Sequence, residues 1–200
     1  MLITDFVAPA CNKRKVEASF KLDRRAFLQA ALAAAAGAGI ACSANGTPWR
    51  FFTVDEARTL AAISDQIIPP DEYPGAAWAG VVNYIDRQLC GSFADLQPIY
   101  RRGLAGVDQS SRLLYGSVFA ELNNQQQIDV LHQVENGHPP GAIWKQVSSP
   151  EFFSLVLDHT MQGYYGDPRH GGNREGVSWK MLGLPYPPIR GRLRYDLTKT

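Results

Sequence analysis

The sequence predicts an all-α protein: a single helical domain of about five to six helices with an irregular, Gly- and Pro-rich C-terminal segment. Three observations lead there. Apolar residues recur at three- and four-residue spacing through most of residues 53–165. Capping and stopping residues punctuate those stretches at helical lengths. No run alternates polar and apolar side chains over several residues, and no strand–helix–strand unit can be laid out. The chain has 200 residues, enough for one domain with a real core.

The elements follow in order. "TVDEARTLAAISDQIIPP" (53–70) opens with Thr53 as N-cap and Glu56 three residues on, a capping box. Ala57, Leu60, Ile63, Ser64 and Ile67 form one stripe, and Pro69-Pro70 stops the helix. "GAAWAGVVNYIDRQL" (75–89) predicts a second helix with Ala77, Val81, Tyr84, Ile85 and Leu89 on one side. "DLQPIYRRGLAGVDQSSRLLYG" (95–116) predicts a third and longer one. Pro98 fits its first turn, where a missing N–H costs little, and Leu104, Val107, Leu114 and Tyr115 mark its inner face. Gly103 and Gly106 either admit a close neighbour or kink the helix. A fourth helix is capped by Asn123 or Asn124 and closed by Gly137. "SPEFFSLVLDHTMQGYYG" (149–166) is a fifth, with Ser149 as N-cap and Pro150 at the first helical position. "GVSWKMLG" (176–183) offers a last short helix.

Hydrophobic residues at 45% and charged residues at 20% are ordinary for a globular protein. A net charge of +1 gives no reason to expect nucleic acid as a partner. That charge is uneven. Residues 1–44 carry six basic side chains (Lys13, Arg14, Lys15, Lys21, Arg24, Arg25) against three acids, while the remainder carries 14 against 16. The basic front end runs into "DRRAFLQAALAAAAGAGIACSANG", whose apolar stretch 26–41 is shorter than the roughly 20 residues needed to span a bilayer. Arg24, Arg25, Phe27 and Leu28 match the twin-arginine export signal, in which a receptor reads the arginine pair. The expected organisation is a signal peptide over 1–44 and a helical domain over 45–200, with the product in the periplasm. Small residues permit cleavage after Ala41 or Ala44. "GIAC" also offers lipid attachment at Cys42, although Gly39 stands where such signals favour a large aliphatic residue. With the signal removed, Cys90 is the one cysteine left, and its place after Leu89 predicts a buried structural thiol.

Most chemistry-bearing motifs are missing from the sequence. No dinucleotide fingerprint, P-loop, H-E-x-x-H, C-x-x-C-H or zinc spacing is present. Asp158, His159, Asp167 and His170 offer metal-binding residue types. Asp158 and His159, however, are neighbours on one helix and point about 100° apart. A hydrolytic triad would require a Ser or Cys in a strained turn, and none stands out. What does stand out is "GYYGDPRHGGNREGVSWKMLG" (163–183), with six glycines. Asp-Pro and Gly-Gly are turn signals, and Asn173 tolerates a left-handed conformation. Gly171 and Gly172 are expected at backbone angles that a side chain would forbid. Tyr164, Tyr165, Asp167, Arg169, His170, Gly171, Gly172, Asn173, Arg174 and Trp179 are therefore the candidate partner-facing residues, since Tyr, Trp and Arg are enriched at interfaces. A closing loop whose aromatics cover the core explains the same residues. A reading of a different class is a free-standing periplasmic enzyme or metal-binding protein using Asp167, Arg169, His170 and Asn173.

The first two helical stretches, together with the pattern G-x-x-x-D-P-x-x-G-G-N…W-x-x-x-G at 163–183, resemble the gluconate 2-dehydrogenase subunit 3 family over residues 51–187. The resemblance implies a small, exported, non-catalytic subunit. Its partner would be a large FAD-containing subunit of the glucose-methanol-choline type that oxidises a sugar, sugar acid or glycoside. A cytochrome c subunit often accepts the electrons in such complexes. It also implies that the flavin subunit rides the twin-arginine translocase with this chain, and that the Gly-rich stretch docks rather than catalyses. The chain itself shows no flavin, haem or iron–sulfur ligand set in its sequence, so the expected cofactor, FAD, belongs to the partner subunit.

Overall fold

The computed structural model describes residues 48–184, all within one compact unit, Cys42–Thr200. Arg24, Arg25, Phe27, Leu28 and Cys42 lie outside the described residues. The described residues form six α-helices: α1 (Val54–Ile67), α2 (Val81–Leu89), α3 (Gln97–Tyr115), α4 (Asn124–Glu135), α5 (Ser149–Tyr165) and α6 (Val177–Met181). Single 3₁₀ turns join several of them, and no strand occurs among the described residues. The all-α expectation holds. No helix among the described residues is long and apolar enough to cross a membrane.

Local chemistry sets the helix ends. The Glu56 N–H donates to Thr53 Oγ1, and the Thr53 N–H donates to Glu56 at 2.8 Å, completing the predicted capping box. Asn123, rather than Asn124, caps α4 in the same reciprocal way with Gln126. At α5 the cap is Ser148, one residue before the expected Ser149, because the Glu151 N–H reaches the Ser148 hydroxyl and Ser149 is enclosed. The second helix starts later than the spacing predicted. Residues 76–79 make one turn that ends at Gly80, whose φ of 81° is left-handed. The Val81 N–H bonds the Ala76 carbonyl and the Gly80 N–H bonds that of Ala77. That is a Schellman closure, and α2 begins directly after it in a new direction.

Helix α1 sits in the middle and packs against α2, α3, α4 and α5; α5 in turn covers α2, α3 and α4. Leu60 and Ile63 of α1 meet Ile85 and Leu89 of α2, Leu104 and Val107 of α3, Val130 and Val134 of α4, and Phe152 and Val156 of α5 in one core cluster. Gly103 and Gly106 are sites of close approach: the Phe152 ring fills the space of a Cβ at Gly103, and the Trp144 ring does so at Gly106. The inner face of α3 is therefore rotated from the expected one. Leu114 and Tyr115 are exposed, and Ser110 and Ser111 are buried in their place. Both serines are satisfied. Ser110 donates to the Pro140 carbonyl at 2.6 Å and accepts from Trp144 Nε1 at 2.8 Å, and Ser111 donates to the Val107 carbonyl. Cys90 is half-buried rather than enclosed.

Three carboxylates hold chain segments that lack helical partners of their own. Asp86 on α2, 3% exposed, accepts the backbone N–H groups of Arg50, Phe51 and Phe52 at 2.8–3.1 Å. Arg101 fastens the same strap by donating to the Phe51 carbonyl at 2.6 Å, pairing with Glu56 and stacking on the Phe51 ring. Asp108 accepts from the Phe119 N–H and the Thr59 hydroxyl, and Asp65 accepts from the Ala77 N–H at 2.7 Å. Burial raises the pKa of both Asp65 and Asp108, against the opposing pull of these hydrogen bonds.

Candidate functional site

The Gly-rich loop after α5 folds back across the start of α2. Its geometry begins at the end of α5. The Gly166 N–H closes the helix on the Gln162 carbonyl, and Asp167 then starts a 3₁₀ turn, Pro168–His170, by accepting the Arg169 N–H at 3.0 Å. The Arg169 guanidinium bends back onto the same carboxylate, with Nε at 3.0 Å and Nη2 at 2.9 Å from Oδ2. This fork satisfies Arg169 within its own loop and raises its pKa, mainly through the Asp167 hydrogen bond.

The two adjacent glycines answer different needs. Gly171 has φ 105°, left-handed as expected. Gly172 has no such angle. It is required because its Cα passes so close to the backbone of Gly163 on α5 that a Cβ would run into the Gly163 carbonyl oxygen. Gly163 in turn lies against the Tyr84 ring, and Gly80 lies against the Gly171 carbonyl and the Gly172 Cα. Three small residues from three parts of the chain thus let α5, the loop and the start of α2 meet backbone to backbone.

Asn173 is the pin of this loop. It is 0% exposed and left-handed at φ 45°. Its Nδ2 donates to the Gly166 carbonyl at 2.8 Å and its Oδ1 accepts the Ser178 N–H at 3.1 Å, so one side chain joins the end of α5 to the start of α6. Trp179 Nε1 donates to the Tyr165 carbonyl and the Tyr164 hydroxyl donates to the Pro74 carbonyl. The Arg174 N–H donates to the Ala79 carbonyl at 2.9 Å.

The ten sequence-predicted residues therefore divide. Tyr164, Gly172 and Asn173 are enclosed and shape the loop from within; Tyr165, Arg169, His170 and Arg174 are exposed; Asp167, Gly171 and Trp179 lie between. Of the four residues that an enzymatic or metal-binding site would use, Asp167 is engaged by Arg169 and Asn173 by backbone groups. No group of three or more His, Cys, Asp or Glu side chains among the described residues is placed to hold one metal ion. His159 lies in the core. Its ring stacks on Phe93 at 4.3 Å, Nδ1 meets the Tyr100 hydroxyl at 2.8 Å, and burial lowers its pKa. The same burial raises the pKa of Tyr100.

Two residues beside the loop escaped the sequence reading. Trp78 is 42% exposed on the turn before α2, and the Arg174 guanidinium lies 5.4 Å from its ring centroid. Arg87, in the last turn of α2, lays its side chain over Gly171, with Cδ 3.0 Å from where a Cβ would stand. The sequence signal for Trp78 was an aromatic in a Gly- and Ala-rich turn. Nothing in the sequence tied Arg87 to a loop more than 80 positions away.

The profile of one protein family, gluconate 2-dehydrogenase subunit 3, matches residues 54–185, from the first residue of α1 to just beyond the loop and α6. No curated protein and no solved structure matches the chain. The match covers well over half of the sequence and takes in every helix among the described residues and the whole Gly-rich loop: this chain belongs to the gluconate 2-dehydrogenase subunit 3 family.

Proposed function

We propose that the chain is the non-catalytic small subunit of a dehydrogenase complex whose large, FAD-containing subunit oxidises a sugar, sugar acid or glycoside. Family membership over residues 54–185 is the observation that carries this reading, since the family is defined as a subunit of a larger dehydrogenase. The loop geometry supports it. The loop's backbone construction ends in an aromatic- and arginine-bearing surface, and the side chain of enclosed Asn173 is spent on the fold. In this reading Arg24 and Arg25 address the chain to the twin-arginine translocase, and the flavin subunit, already folded, crosses with it into the periplasm. A cytochrome c subunit is a further candidate partner. The small subunit supports the export, folding and stability of the catalytic one.

The test is co-purification of the tagged full chain from an exporting host. A dehydrogenase-sized protein with a flavin absorption spectrum should elute with it and oxidise sugars or sugar acids in the presence of an artificial electron acceptor. A chain that elutes alone, yellow and active, would be an enzyme in its own right and would overturn the proposal.

A further inference from the structure

We infer that Trp78, Arg174 and Arg87 form one docking surface that receives an acidic segment of the partner subunit. The inference rests on the small-subunit reading and names the chemistry its partner must present. The three residues come from the turn before α2, the Gly-rich loop and α2 itself, and each is exposed. The contacts already described bind them into one surface. Arg174 lies over the Trp78 ring, its N–H is bonded to the Ala79 carbonyl, Gly171 and Gly172 press on Gly80, and Arg87 covers Gly171.

Charge decides what this surface fits. Arg169 is neutralised by Asp167. Among the described residues neither Arg174 nor Arg87 makes an ion pair. Glu175, the acid next to Arg174 in the chain, is exposed and forms no bridge to it. Two guanidiniums therefore stand ready for carboxylates, one of them stacked on an exposed indole. Trp and Arg are the side chains over-represented among interface residues with large energetic effect, and Arg forks match carboxylates bidentately.

Backbone strain points to the same residue. Arg174 stands between two non-glycine residues with left-handed angles, Asn173 at φ 45° and Glu175 at φ 56°. Such conformations are unfavourable and persist where the surroundings impose them. Here the side chain of enclosed Asn173 is held by two hydrogen bonds, and the Gly176 N–H closes the turn over Arg174 and Glu175 on the Asn173 carbonyl at 2.9 Å. The result is a fixed arginine backbone, so that little ordering is left for the moment of docking.

The experiment starts from the complex isolated with the wild-type full chain, its flavin subunit identified by absorption spectrum and mass spectrometry. That subunit is then titrated with purified wild-type chain, with the double variant Arg87→Glu, Arg174→Glu, and with Trp78→Ala. Circular dichroism and melting establish that each variant is folded. The double charge reversal should weaken binding about 100-fold or more at low salt, and the deficit should shrink at high salt as charges are screened. Trp78→Ala should weaken it about 30-fold with little salt dependence. Wild-type affinity in both folded variants would overturn the inference while leaving the small-subunit reading intact. So would binding of the wild-type chain to phosphatidylcholine–phosphatidylglycerol vesicles that the double variant loses while keeping the flavin subunit. A wild-type chain that holds no flavin subunit would overturn the small-subunit reading itself, and this inference with it.

Discussion

Asp86 shows how much a single side chain does in this fold. It is one carboxylate on a nine-residue helix, and it takes up three successive backbone N–H groups of the strap that leads into α1. Extended backbone at a domain edge normally satisfies such groups with water. Here Phe52 is buried, 2% exposed, so its N–H must find a protein acceptor. Hydrogen bonds to a charged acceptor each contribute about 1.5–3 kcal/mol. Asp86→Asn keeps the shape, replaces the charge, and turns one acceptor into a donor that faces other donors. It should lower stability by about 3 kcal/mol, measured as a shift in denaturant midpoint at unchanged m-value. Asp86→Ala should cost at least as much and should expose the peptide bonds at 50–52 to protease. Gly172 makes the opposite point. It contributes no side chain, and its value is the absence of an atom that would strike the Gly163 carbonyl.

Elements are joined by shared polar and aromatic groups as well as by the apolar core. The clearest case is the stack Phe93–His159–Tyr100, which ties α5 to α3 and to the segment between α2 and α3. The ring planes of His159 and Tyr100 are 4° apart, and the Tyr100 hydroxyl meets His159 Nδ1. Neutral imidazole can accept that hydroxyl proton, whereas protonated imidazole has only donors to offer. Burial accordingly lowers the folded-state pKa of His159 below its ordinary value of 6.5. The sign follows from linkage: a group with a depressed folded pKa stabilises the fold above its unfolded pKa, and that contribution is lost as pH falls below about 6.5 towards the folded value. Asp65 and Asp108, raised by burial, act in the opposite sense, and their contribution appears at lower pH, as they protonate. The His159 part can be isolated by comparing melting temperatures of wild type and His159→Gln. The wild type should lose stability relative to the variant as pH falls below 6.5. The NMR titration of its imidazole should have a midpoint below that value. Parallel curves for the two proteins would remove His159 from the pH response.

On the scale of the whole molecule, a central α1 surrounded by four helices makes a stable block, and the C-terminal loop is bolted to one side of it. Apolar side chains remain on the outside: Leu157, Met161 and Tyr165 recur every four residues along α5 at 36–42% exposure, and Trp78 lies beside the loop. Surface of this kind fits a chain that works inside a complex. The export proposal belongs to this scale too. Replacing Arg24 and Arg25 by Lys should leave the folded domain untouched and keep both this chain and its flavin partner in the cytoplasm, read by fractionation and by dehydrogenase activity in each compartment. Normal periplasmic levels of the Lys-Lys variant would overturn the twin-arginine reading.

The helices were legible in the sequence because their determinants are local. A capping box at Thr53–Glu56, a Pro-Pro stop, a Gly after α4 and the three- to four-residue apolar spacing all act within a turn or two of where they stand. So were the family, carried by a motif of fixed spacing, and the left-handed turns at Gly171 and Asn173. Tertiary structure decided everything that depends on which segments meet. Leu114 and Tyr115 look like core residues by period, yet the ring of Trp144 arrives over Gly106 and turns Ser110 and Ser111 inward instead. A run of 15 helix-compatible residues at 75–89 breaks at Gly80 because the loop, 90 positions later, needs that turn to receive the Arg174 N–H. Arg169, the obvious interface charge by composition, is spent on Asp167, while beside the loop Arg174 and Arg87 form no ion pair among the described residues. Period and propensity are properties of neighbours in the chain. Burial, ion pairing and the shared surface of Trp78, Arg174 and Arg87 are properties of neighbours in space, and these arise when α5, the loop and the start of α2 close on one another at Gly163, Gly172 and Gly80.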